Sequence, residues 1–191
     1  LTFNGGREAG LRNAGTLFKS ALLGDLTVNS STDTLSLRMV DNIPLMITGS
    51  IDNNGDVTAV DTTSQFRFVG SGVQTLSSNV NSRKFGAISV NKDGGSLTIT
   101  DNIELAAGGA NDTAFAIHAG DVIATGVNIT VSGAGAYTHI EHGTGATLTG
   151  GILTYTAPSI ISGTGYTNIT VNVSTDSVKA GTSTDSVNYS G

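Results

Sequence analysis

A chain of 191 residues, 38% of them hydrophobic, can fill the core of one ordinary domain or a short repeat array. It has no Trp and no Cys and only six Phe and four Tyr, so aliphatic side chains must supply the buried area, and disulfides, thiolate metal sites and a Cys nucleophile are excluded. The net charge of −6 is uneven: eight of the nine basic residues fall at or before Lys92, and so acidic a second half repels phosphate backbones, which argues against a nucleic-acid partner.

With 27 Thr, 20 Ser, 15 Asn and 26 Gly, nearly half of the chain is small, polar or turn-forming. Thr, Val and Ile are stiff at χ1 and suit a pleated surface, while Asn, Asp and Gly accept the backbone conformations that close turns. The composition therefore predicts an all-β protein.

In chain order, the opening from Leu1 to Leu23 is the least β-like part. LTFNGG reads as a strand running into a glycine turn, and AGTLFKSALLG holds the one stretch that could form a helical turn, a short strand pair being equally compatible. From Asp25 the period-2 signal strengthens in DLTVNSS, TLSLRMV and PLMITGSI, separated by Thr32-Asp33 and Asp41-Asn42. Pro44 has no N–H to give a ladder and belongs at a strand start or an edge. In SIDNNGDVTAV, Asn54-Gly55 between alternating runs is a hairpin signal, and a tight corner between coils would use the same residues. The end alternates Ile169, Val171 and Val173 against Thr170 and Asn172, then repeats STDSV at Ser174 and Ser183.

Offsets suggest repetition. Leu26, Val28 and Asn29 match Ile88, Val90 and Asn91, and Leu35-Ser36-Leu37 matches Leu97-Thr98-Ile99 at the same spacing. Gly70, Gly72 and Thr75 find partners in Gly133, Gly135 and Thr138. Three degenerate units of about sixty residues, at 1–64, 65–127 and 128–191 of a single all-β domain, account for these matches. Repeats of short strands bury their apolar faces by stacking, so the expected fold is a parallel β-solenoid. At about three coils per unit it makes roughly nine coils and a rod on the order of 40 Å. An antiparallel β-sandwich, with turn signals recurring about every 8–12 residues, is the competing architecture.

The stretches ITGSIDNNGDVTAV, FRFVGSGVQTLSS, AISVNKDGGSLTITDNIEL and ITVSGAGAY resemble the low-complexity β-helix repeats of large bacterial surface and secreted proteins, of the adhesin and autotransporter-passenger kind. The resemblance spans about residues 25–135 and is one of pattern, without a diagnostic motif. It implies a stalk, adhesin or matrix component outside the cell.

Several groups of residues invite a chemical reading. Asp52, Asn54 and Asp56 have the 1, 3, 5 oxygen spacing of many calcium loops, but Val57 and Thr63 stand where such a loop wants Gly and Glu, so a polar turn is the expectation. In THIEH, His139 and Glu141 share one side of a strand and His142 takes the other, which separates them. Glu8, Glu104 and Glu141 are isolated, whereas a polysaccharide-cleaving β-helix needs paired carboxylates, and no G-x-S-x-G elbow occurs. No glycine run is followed by the Lys-Ser/Thr of a phosphate loop. Runs such as Leu97-Thr98-Ile99-Thr100 and Thr167-Asn168-Ile169-Thr170 hint at a flat ice-binding face, although the Thr spacing between units is irregular.

The sequence thus predicts an extracellular structural protein, a self-assembling filament or surface-layer subunit or an adhesin stalk. It predicts no catalytic, cofactor-binding or metal residues, and no enzyme activity. The expected partners are other copies of the chain, joined through terminal strand edges, and surface glycans. No apolar run approaches the roughly 20 residues of a membrane span. The alternative is a glycan-binding adhesin or phage-fibre module, for which Tyr137, Tyr155 and Tyr166 form the available aromatic cluster, or a polysaccharide-cleaving β-helix.

Overall fold

The computed structural model describes residues 1–3, 8–12, 22–29, 34–38, 44–59, 65–78, 83–106, 113–133, 136–141, 144–157, 159–173, 178–180 and 188–190. Their regular structure is all strand, and every strand pair is parallel. The chain is a β-solenoid with three sheet faces, which settles the architecture against an antiparallel sandwich. The helical turn considered for AGTLFKSALLG falls mostly on residues outside those described, and its end, Leu22–Leu23, is strand.

The first face collects Thr2–Phe3, Leu26–Val28, Ile51–Asn53 and Gln74–Ser77, then the second halves of the long strands Ala87–Ile99 and Thr113–Ile123, then Thr147–Thr149 and Tyr166–Thr167. The second face runs from Glu8–Arg12 through Thr34–Arg38 to Asp56–Ala59, and again from Arg83–Phe85 through Ile103–Ala106, Asn128–Ser132, Ile152–Tyr155 and Thr170–Val173 to Asn188–Ser190. The third holds Leu22–Leu23, Leu45–Ile47, Gln65–Val69, the first halves of Ala87–Ile99 and Thr113–Ile123, and then Ala136–Ile140, Ser159–Gly163 and Val178–Ala180. Pro44 stands just before Leu45–Ile47, at a strand start, where its missing N–H costs no ladder bond.

On the first face Leu26 lies opposite Ile51 and Ile51 opposite Leu76, equal steps along the chain; the step from Gln74 to Leu97 is slightly shorter, and that from Leu148 to Tyr166 shorter still. One coil is thus the structural repeat, and its length varies. The offset that links Leu26 to Ile88 in the sequence is not a whole number of coils, so it carries Leu26 on the first face to Ile88 on the third, and Leu35 on the second face to Leu97 on the first.

Alternation explains which side chains go inside. Strands burying every second residue turn Phe66 and Phe68, Leu97 and Ile99, Ile129 and Val131 into one continuous core, each at most 2% exposed. Because residues stack in register, the core is built as columns, such as Leu26, Ile51, Leu76 and Ile99. Each such aliphatic or aromatic side chain contributes about 1.5–3 kcal/mol by leaving water.

Close stacking also dictates glycine at Gly163, where φ is +92° and a Cβ would run into the Ile140 carbonyl oxygen of the preceding coil. At Gly72 nothing lies within 4 Å. Thermal unfolding should therefore show Gly163→Ala destabilised by more than about 1 kcal/mol and Gly72→Ala nearly unchanged. Phe66→Ala, which empties a core position, should cost about 3–5 kcal/mol.

Candidate functional site

Four groups of polar or aromatic residues are candidates for a site. At the DNNGD stretch the chain leaves the first face after Ile51–Asn53 and enters the second with Asp56–Ala59; these two strands pair with other coils and not with each other, so Asn54-Gly55 forms a corner and not a hairpin. Asn53 is fully buried, and its Oδ1 accepts a hydrogen bond of 3.1 Å from the Gly55 N–H, while the Asn54 N–H donates to the Val28 carbonyl at 2.8 Å. Asp52 points outward, where the Ser77 hydroxyl of the next coil donates to its Oδ1 at 3.3 Å. The amide of Asn53 thus holds the corner from inside, a fixed polar turn. The side chain of Asp56 lies outside those described.

The histidines form a row on the outside of the third face. His118 Nδ1 lies 3.0 Å from Glu141 Oε2, and His139 Nδ1 lies 2.8 Å from Ser162 Oγ. The row arises because Ala116 pairs with His139 and His139 with Ser162, so each side chain meets one from the next coil. His139 and Glu141 share a side, as alternation predicts, whereas the partnerships with His118 and Ser162 depend on coil length and could not be read from the sequence. His142 lies outside the described residues. Both pairs are half-buried or exposed, of a kind that contributes ~1 kcal/mol or less. Glu104 sits on the second face, away from Glu141. Among the described residues, no three His, Asp or Glu side chains gather as a metal cluster would require.

The third group lies inside. Lys92 is 3% exposed and Gln74 1% exposed. The Lys92 ammonium donates to Gln74 Oε1, and Gln74 Nε2 donates to the carbonyls of Ile47 at 3.0 Å and Gly49 at 2.6 Å. This chain of bonds occupies the corner between the third and first faces, where strand Ala87–Ile99 is bulged against its neighbour between Val90 and Ser96. Gly120 of the next coil, at φ +87°, closes over the Lys92 stem, where a Cβ would stand 2.8 Å from the Lys92 Cβ. Burial pushes the Lys92 pKa below its ordinary value, and the nearby Asp93 partly opposes the shift. Nothing in the sequence reading gave Lys92 a role. A signal was present all the same, since Ile88, Val90 and Lys92 share the inward parity.

The tyrosines of the glycan reading are the fourth group, and here the structure corrects the expectation. Tyr155 is fully buried in the column that also holds Leu105 and Val131, and Tyr166, 7% exposed, continues that of Val122 and Leu148. Their rings are core, and the Tyr166 hydroxyl donates to the Ser162 carbonyl at 2.8 Å. The Tyr137 side chain lies outside those described. An aromatic platform for a sugar ring cannot be assembled from Tyr155 and Tyr166.

Searches against family models, curated proteins and solved structures found no match to this chain.

The buried amine makes a measurable demand on stability. Gln74→Leu strips the ammonium of its acceptor and should cost about 1.5–3 kcal/mol, while adding Lys92→Met to that variant should restore much of the loss. A lysine whose folded pKa lies below its unfolded value binds fewer protons when folded. Stability should therefore rise with pH between the lowered folded value and the ordinary 10.5, and Lys92→Met should abolish that rise in urea titrations.

Proposed function

We propose that this chain is an extracellular structural protein, a rod-like subunit of a filament, surface layer or adhesin stalk. The observation that supports this reading best is the unbroken parallel stacking. One aliphatic core runs through the successive strands of the first face, and ladder bonds join each coil to the next. At about 4.8 Å per coil such a stack rises on the order of 35–40 Å, a spacer whose length grows by whole coils. Further support comes from outward positions that carry short neutral side chains, such as Thr98, Thr130 and Thr154, or charged ones, such as Glu104 and Asp121, both suited to a solvated shaft.

Assembly follows from the same physics. A coil at any free end of a parallel stack presents unpaired N–H and C=O groups, which another stack can satisfy by strand addition, and a head-to-tail contact of that kind extends without closing.

Two measurements test the proposal. Antibody against the chain should label intact cells of the source organism without permeabilisation, and labelling seen only after permeabilisation would contradict an extracellular role. Negative-stain electron microscopy of the purified chain at micromolar concentration should show filaments or end-to-end strings. Monodisperse single particles across salt and pH would remove the self-assembly part.

A further inference from the structure

At the corner between the first and second faces stands Asn54-Gly55, a pair with a covalent chemistry of its own. Once the Gly nitrogen has lost its proton to water or hydroxide, it can attack the side-chain amide carbon of the preceding Asn. A C–N bond forms, the side-chain nitrogen takes up a proton and leaves as ammonia, and a five-membered succinimide results. Water then opens the ring on either side, giving Asp or an isoaspartyl link in which the main chain runs through the side-chain carbonyl carbon. Glycine favours the step, because without a Cβ its backbone turns freely toward the amide.

The corner holds this step back in three ways. The Gly55 N–H donates to Asn53 Oδ1 at 3.1 Å, so the nitrogen that would attack is already engaged. Gly55 and Asn53 are both buried, Asn53 fully, which keeps from that N–H the water or hydroxide that would take its proton. The backbone is also fixed on both sides of the reacting residue. The Asn54 N–H donates to the Val28 carbonyl at 2.8 Å, Ile51–Asn53 is laddered to the coils before and after it, and Asp56–Ala59 is laddered to Thr34–Arg38. Gly55 N therefore reaches Asn54 Cγ only when the coil opens. Asn54 itself is half-buried, so the leaving amide is within reach of solvent.

We propose that Asn54-Gly55 is a latent modification site, shut by the Asn53 side chain while the coil is stacked and active once the coil comes apart. The inference goes beyond the structural role proposed above and does not depend on it. The reaction runs one way. Either product places a carboxylate at position 54, between Asp52 and Asp56, where like charges then crowd one corner. The isoaspartyl product also adds a carbon to the main chain of a corner whose flanking strands are held in register, so a coil that has opened and reacted no longer fits back. The modification thus marks an opened stack and keeps it open.

The test is peptide mapping of the full chain after incubation at mildly alkaline pH, reading the conversion of amide to acid at Asn54. Asn4→Gln is carried in every sample, since Asn4-Gly5 is the other Asn-Gly step of the sequence. The folded chain should react at Asn54 at least about tenfold more slowly than the same chain in urea, and Asn53→Ala should speed the folded reaction about tenfold, the factor that one hydrogen bond of ordinary strength is worth. Hydrogen exchange at the Gly55 amide should accelerate by a similar factor, since both processes need the same N–H released. Phe66→Ala, which weakens the core and leaves the corner bond in place, should change neither rate while the chain stays folded. Chains that have reacted in urea should fail to regain the wild-type melt on dilution, and unreacted ones should regain it. Equal rates in the folded and urea-unfolded chain would overturn the proposal, as would equal acceleration by Asn53→Ala and Phe66→Ala or isoaspartyl chains that refold with the wild-type melt. If Asn53→Ala does not fold, the ratio of folded to unfolded rates and the refolding of reacted chains decide the matter.

Discussion

The parallel hydrogen-bond ladder between coils is the constraint on which everything else in this molecule rests. No coil can satisfy its own backbone N–H and C=O groups. Leu26 N donates to the Ser50 carbonyl, Ala124 N to Thr149 and Leu148 N to Gly165, so each coil is completed by its neighbours. The side chains then have one choice left, inside or outside, and a slip of a single residue would exchange the two sets. Columns such as Phe66, Ile88 and Phe115 on the inside lock the register, and the outward columns inherit their order from it.

Irregularity is pushed into the corners. Strands Ala87–Ile99 and Thr113–Ile123 turn from the third face to the first without breaking, through register shifts at Asn91, and that bend makes the space in which Lys92 and Gln74 meet. Burying an ammonium is costly unless its partners are well placed. Here the cost is offset by a relay to two backbone carbonyls, which ties the bulge of one coil to the turn of the coil two before it. The same freedom at the corners lets coils of unequal length present matching faces.

Much of the fold was legible because alternation was clean. FRFV, SLTI and NITV each announce one dry side, and the shortage of helix formers left little else for the chain to become. What could not be read was register. Nothing in the sequence says that Thr149 meets Thr167 while Thr98 meets Ile123, since each pairing depends on how many residues a corner consumes. The pairing of His139 with Ser162 was hidden for the same reason, and so was the burial of Tyr155 and Tyr166, whose aromatic character suggested a surface. The NNG corner was ambiguous because a hairpin and a coil corner ask for the same left-handed or bent residues, and only the partner strands distinguish them.

The central claim is that coils of unequal length are held in one register, and engineered cysteines test it directly, since the chain has no native Cys. Opposed residues on neighbouring parallel strands lie about 4.8 Å apart, within the Cα range a disulfide accepts. Under mild oxidation the pairs Thr75→Cys/Thr98→Cys and Thr149→Cys/Thr167→Cys, which span coils of different length, should each close to an intramolecular disulfide, while Thr75→Cys/Ser96→Cys, shifted by two positions, should stay reduced. Closure of the shifted pair in preference to the aligned ones would contradict the account.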